Sequence, residues 1–238
     1  AAYCGLIEQM DTDLGRVRQA FDAYTRRKGS EGIFCYLSDH GDQVGDRGIF
    51  GKDTFFEKSA KIPLLFAGSG IPAGGCVREP VSILDIGPTL WDLTGSEALP
   101  DYDGISLSAA LSGEVQESDR TVACEHLHQI DGRDVYGLML RRNVYKYICY
   151  HGVNEMIFRV DEDPLEQHDL LEKEPGLAEQ FRALAAEFSD PAQIETEQRL
   201  HRQKIEWFRA WETFAGLDES ERWRENPPEA RVKPEICI

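Results

Sequence analysis

Apolar residues recur every three or four positions through Leu6, Met10, Leu14, Val17, Phe21 and Tyr24. Asp, Arg and Gln fill the opposite side, and Lys28-Gly29 ends the run, so the spacing predicts a long amphipathic helix. Ile33–Leu37 is a short run of strand formers that stops at Ser38-Asp39-His40-Gly41-Asp42. Asp53–Ala60 predicts a short helix, and Ile62–Ala67 a second buried strand before the Gly/Pro loop 68–75. The two strands read as part of an open parallel α/β layer, in which both faces need cover. Ser82–Leu93 has helical spacing up to Gly95. After about residue 115 the pattern changes to Thr121–Glu125, Tyr136–Arg141, Val144–Tyr150 and Met156–Val160, short strands in series. They predict an antiparallel meander, with a tight turn at Arg142-Asn143. Helices are expected over Pro175–Phe188 and Gln193–Phe214, and a loop from Asn226 onward. Two domains follow: an α/β part over 1–115 and an α+β part with a helical tail over 116–238.

Charge narrows the choice of partners. The 238 residues carry 26 basic and 43 acidic side chains, a formal net charge of −17. That field repels phosphates and anionic lipid, which argues against nucleic acid and membrane surfaces as partners. The hydrophobic share of 41% supports a packed core, and no apolar run reaches the length of a membrane helix. Six scattered cysteines form no C-x-x-C pair, so a zinc knuckle is not expected. They favour a reducing compartment, with the cytoplasm ahead of a periplasmic or secreted location. The chain opens on Ala1-Ala2-Tyr3-Cys4 without Met, directly into a helical pattern, and predicts a fragment that lacks its N-terminal part.

The chemistry concentrates at the end of the first strand. Asp39 and His40 offer a carboxylate oxygen and an imidazole nitrogen that can share a cation such as Ca²⁺, Mn²⁺ or Mg²⁺. Lys52 adds a positive charge, and Gly41, Gly45, Gly48 and Gly51 let the backbone bend closely. Taken alone, these residues describe a turn with a solvated histidine and an ordinary lysine.

The wider run alters that balance. Ser38-Asp39-His40-Gly41-Asp42-Gln43-Val44-Gly45-Asp46-Arg47-Gly48-Ile49-Phe50-Gly51-Lys52 resembles a signature of the sulfatase family, within the alkaline-phosphatase-like superfamily. The resemblance is to the branch of choline sulfatases, arylsulfatases and phosphonate monoester hydrolases. It continues through Phe55–Ser59, Lys61–Leu64, Gly70–Gly74, Val81–Leu90, Tyr102–Leu107, Tyr145–Ile148 and Asp161–Glu166. It implies the C-terminal part of an alkaline-phosphatase-like mixed sheet flanked by helices, followed by a small antiparallel sheet with helices. It implies that Asp39 and His40 are two ligands of one divalent ion, Ca²⁺ or Mn²⁺ ahead of Mg²⁺. Lys52 then contacts the sulfate or phosphate oxygens and steadies the leaving group. Arg47 stands where many relatives have His and receives no role.

The family's nucleophile motif, Cys/Ser-x-Pro-x-Arg, does not occur in this chain. Its N-terminal Asp pair and upstream His and Lys have no counterpart either. The implied activity, hydrolysis of small sulfate or phosphonate esters, therefore belongs to a whole protein, and this chain alone is expected to be inactive. The expected partners are the missing N-terminal half or another subunit, in a homo-oligomer. A non-catalytic subunit is the remaining alternative.

Three further features are ambiguous. His126 and His128 follow a predicted strand next to Glu125 and suit a second metal site, a specificity loop or a solvated strand end. Arg141 could reach an anionic substrate, or it could be an exposed hairpin residue. Trp207, Phe208, Trp211, Phe214 and Trp223 suit packing of the last helix or a subunit contact.

Overall fold

A computed structural model describes residues 2–96, 102–114, 119–130 and 133–216. The chain divides into two compact units, Ala1–Ala185 and Ala186–Ile238. The expected loop from Asn226, with Trp223 and Cys237, lies outside the described residues.

Helix α1 (Ala2–Lys28) precedes strand β1 (Ile33–Leu37), the one-turn helix α2 (Glu57–Ala60) and strand β2 (Leu64–Gly68). A 3-10 turn at Ile83–Asp85 runs into α3 (Ile86–Leu93), and α4 (Ser108–Leu111) is a single turn. Strands β3 (Thr121–Ile130), β4 (Arg133–Arg142), β5 (Tyr145–Tyr150) and β6 (Asn154–Arg159) follow, then α5 (Pro175–Phe188) and α6 (Pro191–Ala215).

β1 and β2 pair antiparallel, from Ile33 opposite Gly68 to Leu37 opposite Leu64. The expected parallel pairing is thus corrected. The connection contains a three-residue 3-10 turn at Asp46–Gly48 and the four-residue α2. Most of it is a folded loop, and no helix packs across the strands as a parallel crossover requires.

The meander is present as the order β3-β4-β5-β6, antiparallel throughout. Its first hairpin is longer than the hydrophobic pattern indicated, because positions 126–130, with the polar His126, His128 and Gln129 among them, also pair with β4. His126 and His128 consequently lie inside β3, opposite Gly137 and Val135, not beyond its end. Asn143 turns the β4–β5 hairpin with φ 52°, a left-handed conformation that Asn tolerates.

Alternation along the strands gives this sheet two buried faces. On one, Val135, Met139, Ile148, Tyr150 and Phe158 pack against Phe55, flanked by Phe56 and Ala60. On the other, Leu138, Leu140, Tyr147 and Ile157 pack against Ala178 and Phe181 of α5. The loop after β1 is therefore seated on the same sheet that α5 covers from behind. Burying a side chain such as Phe55 contributes about 1.5–3 kcal/mol.

Polar contacts complete the join. Asp85 is fully buried and accepts both arms of the Arg120 guanidinium at 2.7 Å. It also accepts the backbone N–H groups of Ser82 and Ile105 at 2.8 and 2.9 Å. Thr89 Oγ1 extends the network by accepting from the Leu107 N–H at 2.8 Å. The α3 region is fixed in this way to the residue just before β3.

By contrast, α1 buries no residue. Its Phe21 ring meets Phe34 of β1 at 5.6 Å, while Leu6 and Val17 are 69% and 57% exposed. Cys4, Cys35, Cys76, Cys124 and Cys149 are free thiols. Among the described residues, no helix is long and apolar enough to cross a membrane.

Burial opposes ionisation of Asp85, but Arg120 and the backbone donors outweigh it and hold its carboxyl below the usual range. A depressed folded pKa stabilises the fold above the unfolded value, near pH ~4, and the contribution is lost as pH falls through the lower folded value. Asp85→Asn should cost about 3–5 kcal/mol at neutral pH by removing the buried carboxylate that two Arg120 nitrogens share. Urea melts across the acid range should show a flatter loss of stability in this variant than in the parent.

Candidate functional site

The loop from Ser38 to Lys52 is shaped by its own backbone. Gln43 N–H bonds to Gly51 O at 2.7 Å, and Gly45 N–H to Ile49 O at 2.8 Å. Asp42 Oδ1 accepts from Val44 N–H at 2.8 Å and from Gly51 N–H at 3.3 Å. Gln43 is 2% exposed, and its amide donates to Thr54 Oγ1 at 2.5 Å. These bonds fold the loop back, so that Lys52 returns to His40.

Gly41 fixes the loop against α2. Its N–H donates to Ser59 O at 2.7 Å, and a Cβ at this position would lie 2.1 Å from the Lys58 carbonyl oxygen. No side chain fits there, which explains a glycine directly after His40.

Asp39, His40 and Lys52 come together at the C-terminal end of β1. His40 Nε2 lies 3.4 Å from Asp39 Oδ2 and 2.9 Å from Lys52 Nζ. His40 Nδ1 lies 2.8 Å from Gly41 O, a group that can only accept, so Nδ1 carries the proton. Nε2 then keeps its lone pair, which faces the Lys52 ammonium at 2.9 Å and is the group by which imidazole binds a metal. The backbone N–H groups of Asp39 and His40 hold the Asp39 carboxyl below the usual carboxylate range, and the Lys52 charge adds to this. Asp39 is ionised and its side chain 82% exposed. The chemistry of this donor pair fits a hard or borderline divalent cation, and the Lys52 ammonium already stands as a positive charge at Nε2. Among the described residues, no group of three or more His, Cys, Asp or Glu side chains could enclose an ion. Asp39 and His40 by themselves offer two donors.

A buried ion network secures the loop from below. Lys146 of β5 is fully buried, with Nζ 2.8 Å from Glu57 Oε1 and 2.9 Å from Glu166 Oε1. Glu166 Oε2 accepts the Glu57 N–H at 2.7 Å, at the first turn of α2. Burial pushes the Glu166 carboxyl up, and the Lys146 charge opposes that rise. Arg47 donates to the carbonyls of Leu165, at 2.9 Å, and Glu166, and its guanidinium lies 3.9 Å from the Phe56 ring. Lys146, Glu166 and Arg47 thus join three separate stretches of the resemblance. One sequence contains no signal for such contacts across more than a hundred residues.

His126 and His128 of β3 and Arg141 of β4 belong to the four-stranded sheet. His126 Nε2 is 3.7 Å from Asp53 Oδ1, and His126 and His128 stack edge-on at 4.4 Å. Arg141 donates to the carbonyls of Tyr145, at 2.9 Å, and Asn143, closing the β4–β5 hairpin. Trp207 and Phe214 of α6 are 83% and 91% exposed.

Residues 45–193 match the family described as N-sulphoglucosamine sulphohydrolase, C-terminal. The chain is 35% identical over 183 residues to a choline-sulfatase of Rhizobium meliloti (strain 1021), covering 75% of this chain and 34% of that protein. It is 32% identical over 186 residues to human arylsulfatase K, covering 74% and 34%. The solved phosphonate monoester hydrolase of Agrobacterium radiobacter superposes with a TM-score of 0.59 at 27% identity, covering 76% of this chain and 40% of that one. The chain spans about a third of the length of the curated relatives it matches. The family match, the alkaline-phosphatase-like α/β architecture and the extent of these alignments agree: the chain belongs to the sulfatase family and corresponds to its C-terminal portion.

Proposed function

We propose that this chain is the C-terminal portion of a metal-dependent sulfatase that hydrolyses small sulfate esters. The observation that carries the reading is the convergence of Asp39, His40 and Lys52 on one exposed edge. Asp39 and the His40 Nε2 lone pair would hold one Ca²⁺ or Mn²⁺ together with ligands from the rest of the protein. When bound, such an ion supplies charge neutralisation and polarisation at the sulfate. Lys52 meets the sulfate oxygens with its ammonium and stabilises the charge that develops on the leaving oxygen. His40 keeps its Nδ1 proton on Gly41 O and so stays oriented. The nucleophile comes from the remainder of the protein, since this chain has no Cys/Ser-x-Pro-x-Arg run.

The apolar side chains left open on α1 and β2 support the same reading. Leu6, Met10 and Val17 of α1 and Leu65 of β2 are exposed, beside a groove of about 330 Å³ lined by Leu14, Phe34, Tyr36 and Phe66. A polypeptide that completes the α/β core would cover them. A second reading, hydrolysis of phosphonate or phosphate esters, is favoured by the likeness to the phosphonate monoester hydrolase. The two substrates share a tetrahedral oxyanion, which these three residues treat alike.

Two outcomes test the proposal. In the whole protein, Lys52→Ala should lower kcat on an aryl sulfate by about 10²–10³-fold, the cost of removing a donor to developing charge. Unchanged turnover would remove Lys52 from the reaction, and a parallel assay on an aryl phosphonate ranks the two substrates. Assayed by itself with Mn²⁺ or Ca²⁺, the 238-residue chain should give no turnover on either ester. Activity that co-purifies with it would mean that it contains a complete site.

A further inference from the structure

His128 has no part in the chemistry above, yet its ring is buried beside the segment that carries Lys52. The residue is 7% exposed, and Nε2 has no hydrogen-bond partner among the described residues. A buried acceptor left unpaired costs about 1–3 kcal/mol, so another benefit must offset it. The ring's neighbours indicate which. It packs edge-on against Phe55 at 5.1 Å, Tyr150 at 4.8 Å and His126 at 4.4 Å. The floor of this seat is Gly137 of β4, where a Cβ would lie 2.6 Å from the Phe55 ring and 2.8 Å from that of His128. Only a bare backbone leaves room for both rings.

Asp53 closes the seat from the other side. Its Oδ1 lies 3.7 Å from Nε2 of His126, whose ring meets that of His128 at 4.4 Å. Asp53 is held at φ 75°, a left-handed conformation that is strained in a non-glycine residue. It is the residue after Lys52 and comes two before Phe55. With Asp53 and Phe55 both gripped, the backbone that carries Lys52 has one course back towards His40.

We propose that His128 is a positioning residue: its ring clamps Asp53–Phe55 against β4 and so aims the Lys52 ammonium at the site. The claim rests on the reading of Lys52 given above. In that geometry a shift of about 1 Å at Lys52 is enough to lower the rate by up to about 100-fold, although His128 touches no reacting atom.

A double-mutant cycle in the whole protein tests it. His128→Leu fills most of the ring's space but removes its edge contacts. It should lower kcat on an aryl sulfate about 10–100-fold, most strongly for poor leaving groups, and leave Mn²⁺ affinity unchanged. In a Lys52→Ala background the same substitution should lower kcat by less than about twofold, because the residue being aimed is gone. His128→Phe, which keeps a ring in the seat, should recover most of the loss. Gly137→Ala presses on the same rings from β4 and should show the same dependence on Lys52; it decides the matter if His128→Leu does not fold. Equal losses in both backgrounds would overturn the positioning role and leave the role of Lys52 intact. Unchanged turnover in Lys52→Ala alone would overturn both.

Discussion

Lys146 is the one charge around which this chain is organised. It lies on the inner face of β5, fully buried, and holds Glu57 and Glu166 at 2.8 and 2.9 Å. Glu57 begins α2, and Glu166 accepts that residue's N–H. A cation between two carboxylates cannot be removed from so dry a place cheaply: breaking one side of a buried pair costs about 3–5 kcal/mol. Through α2, whose Ser59 carbonyl holds Gly41, the charge reaches the turn that presents His40. The four-stranded sheet therefore does more than close the domain. It is the base on which the loop from Asp39 to Lys52 is set.

Two kinds of packing work on that base. Apolar contact brings Phe55 into the sheet, and the left-handed residues Arg47, Asp53 and Glu166 take conformations that only surrounding contacts can maintain. Strained backbone gathers where the loop must double back to bring Lys52 to within 2.9 Å of His40. The outward side of the same loop is open, with Asp39 largely exposed. An ionised carboxylate, an imidazole and an ammonium stand together on one open edge, and α1 and β2 leave apolar side chains uncovered on the same unit.

Much of this was legible in the residues, for identifiable reasons. Period-2 and period-3.6 patterns report which face is buried, so the meander and the helices α1, α5 and α6 could be read locally. The glycine-rich run after β1 marked the site, because a backbone that doubles back needs such residues. The direction of β2 was not legible, since a buried apolar run has no polarity relative to its neighbour. The far half of β3 was hidden because His126 and His128 are polar, and His128 is buried by ring packing and not by hydrophobicity. Lys146, Glu166 and Arg47 could be quoted as parts of a resemblance, but their mutual contacts exist only in three dimensions. The contacts of Arg141 with the hairpin carbonyls are likewise visible only in three dimensions.

The most direct measurement is a crystal structure of the whole protein grown with Mn²⁺ and a sulfate ester or sulfate, with the ion located by its anomalous signal. The account predicts Mn²⁺ bound to a carboxylate oxygen of Asp39 and to His40 Nε2, with the remaining ligands from outside this chain. It predicts the Lys52 ammonium on a sulfate oxygen within hydrogen-bond distance, about 2.7–3.2 Å. Mn²⁺ held without Asp39 and His40, or sulfate bound away from Lys52, would contradict it.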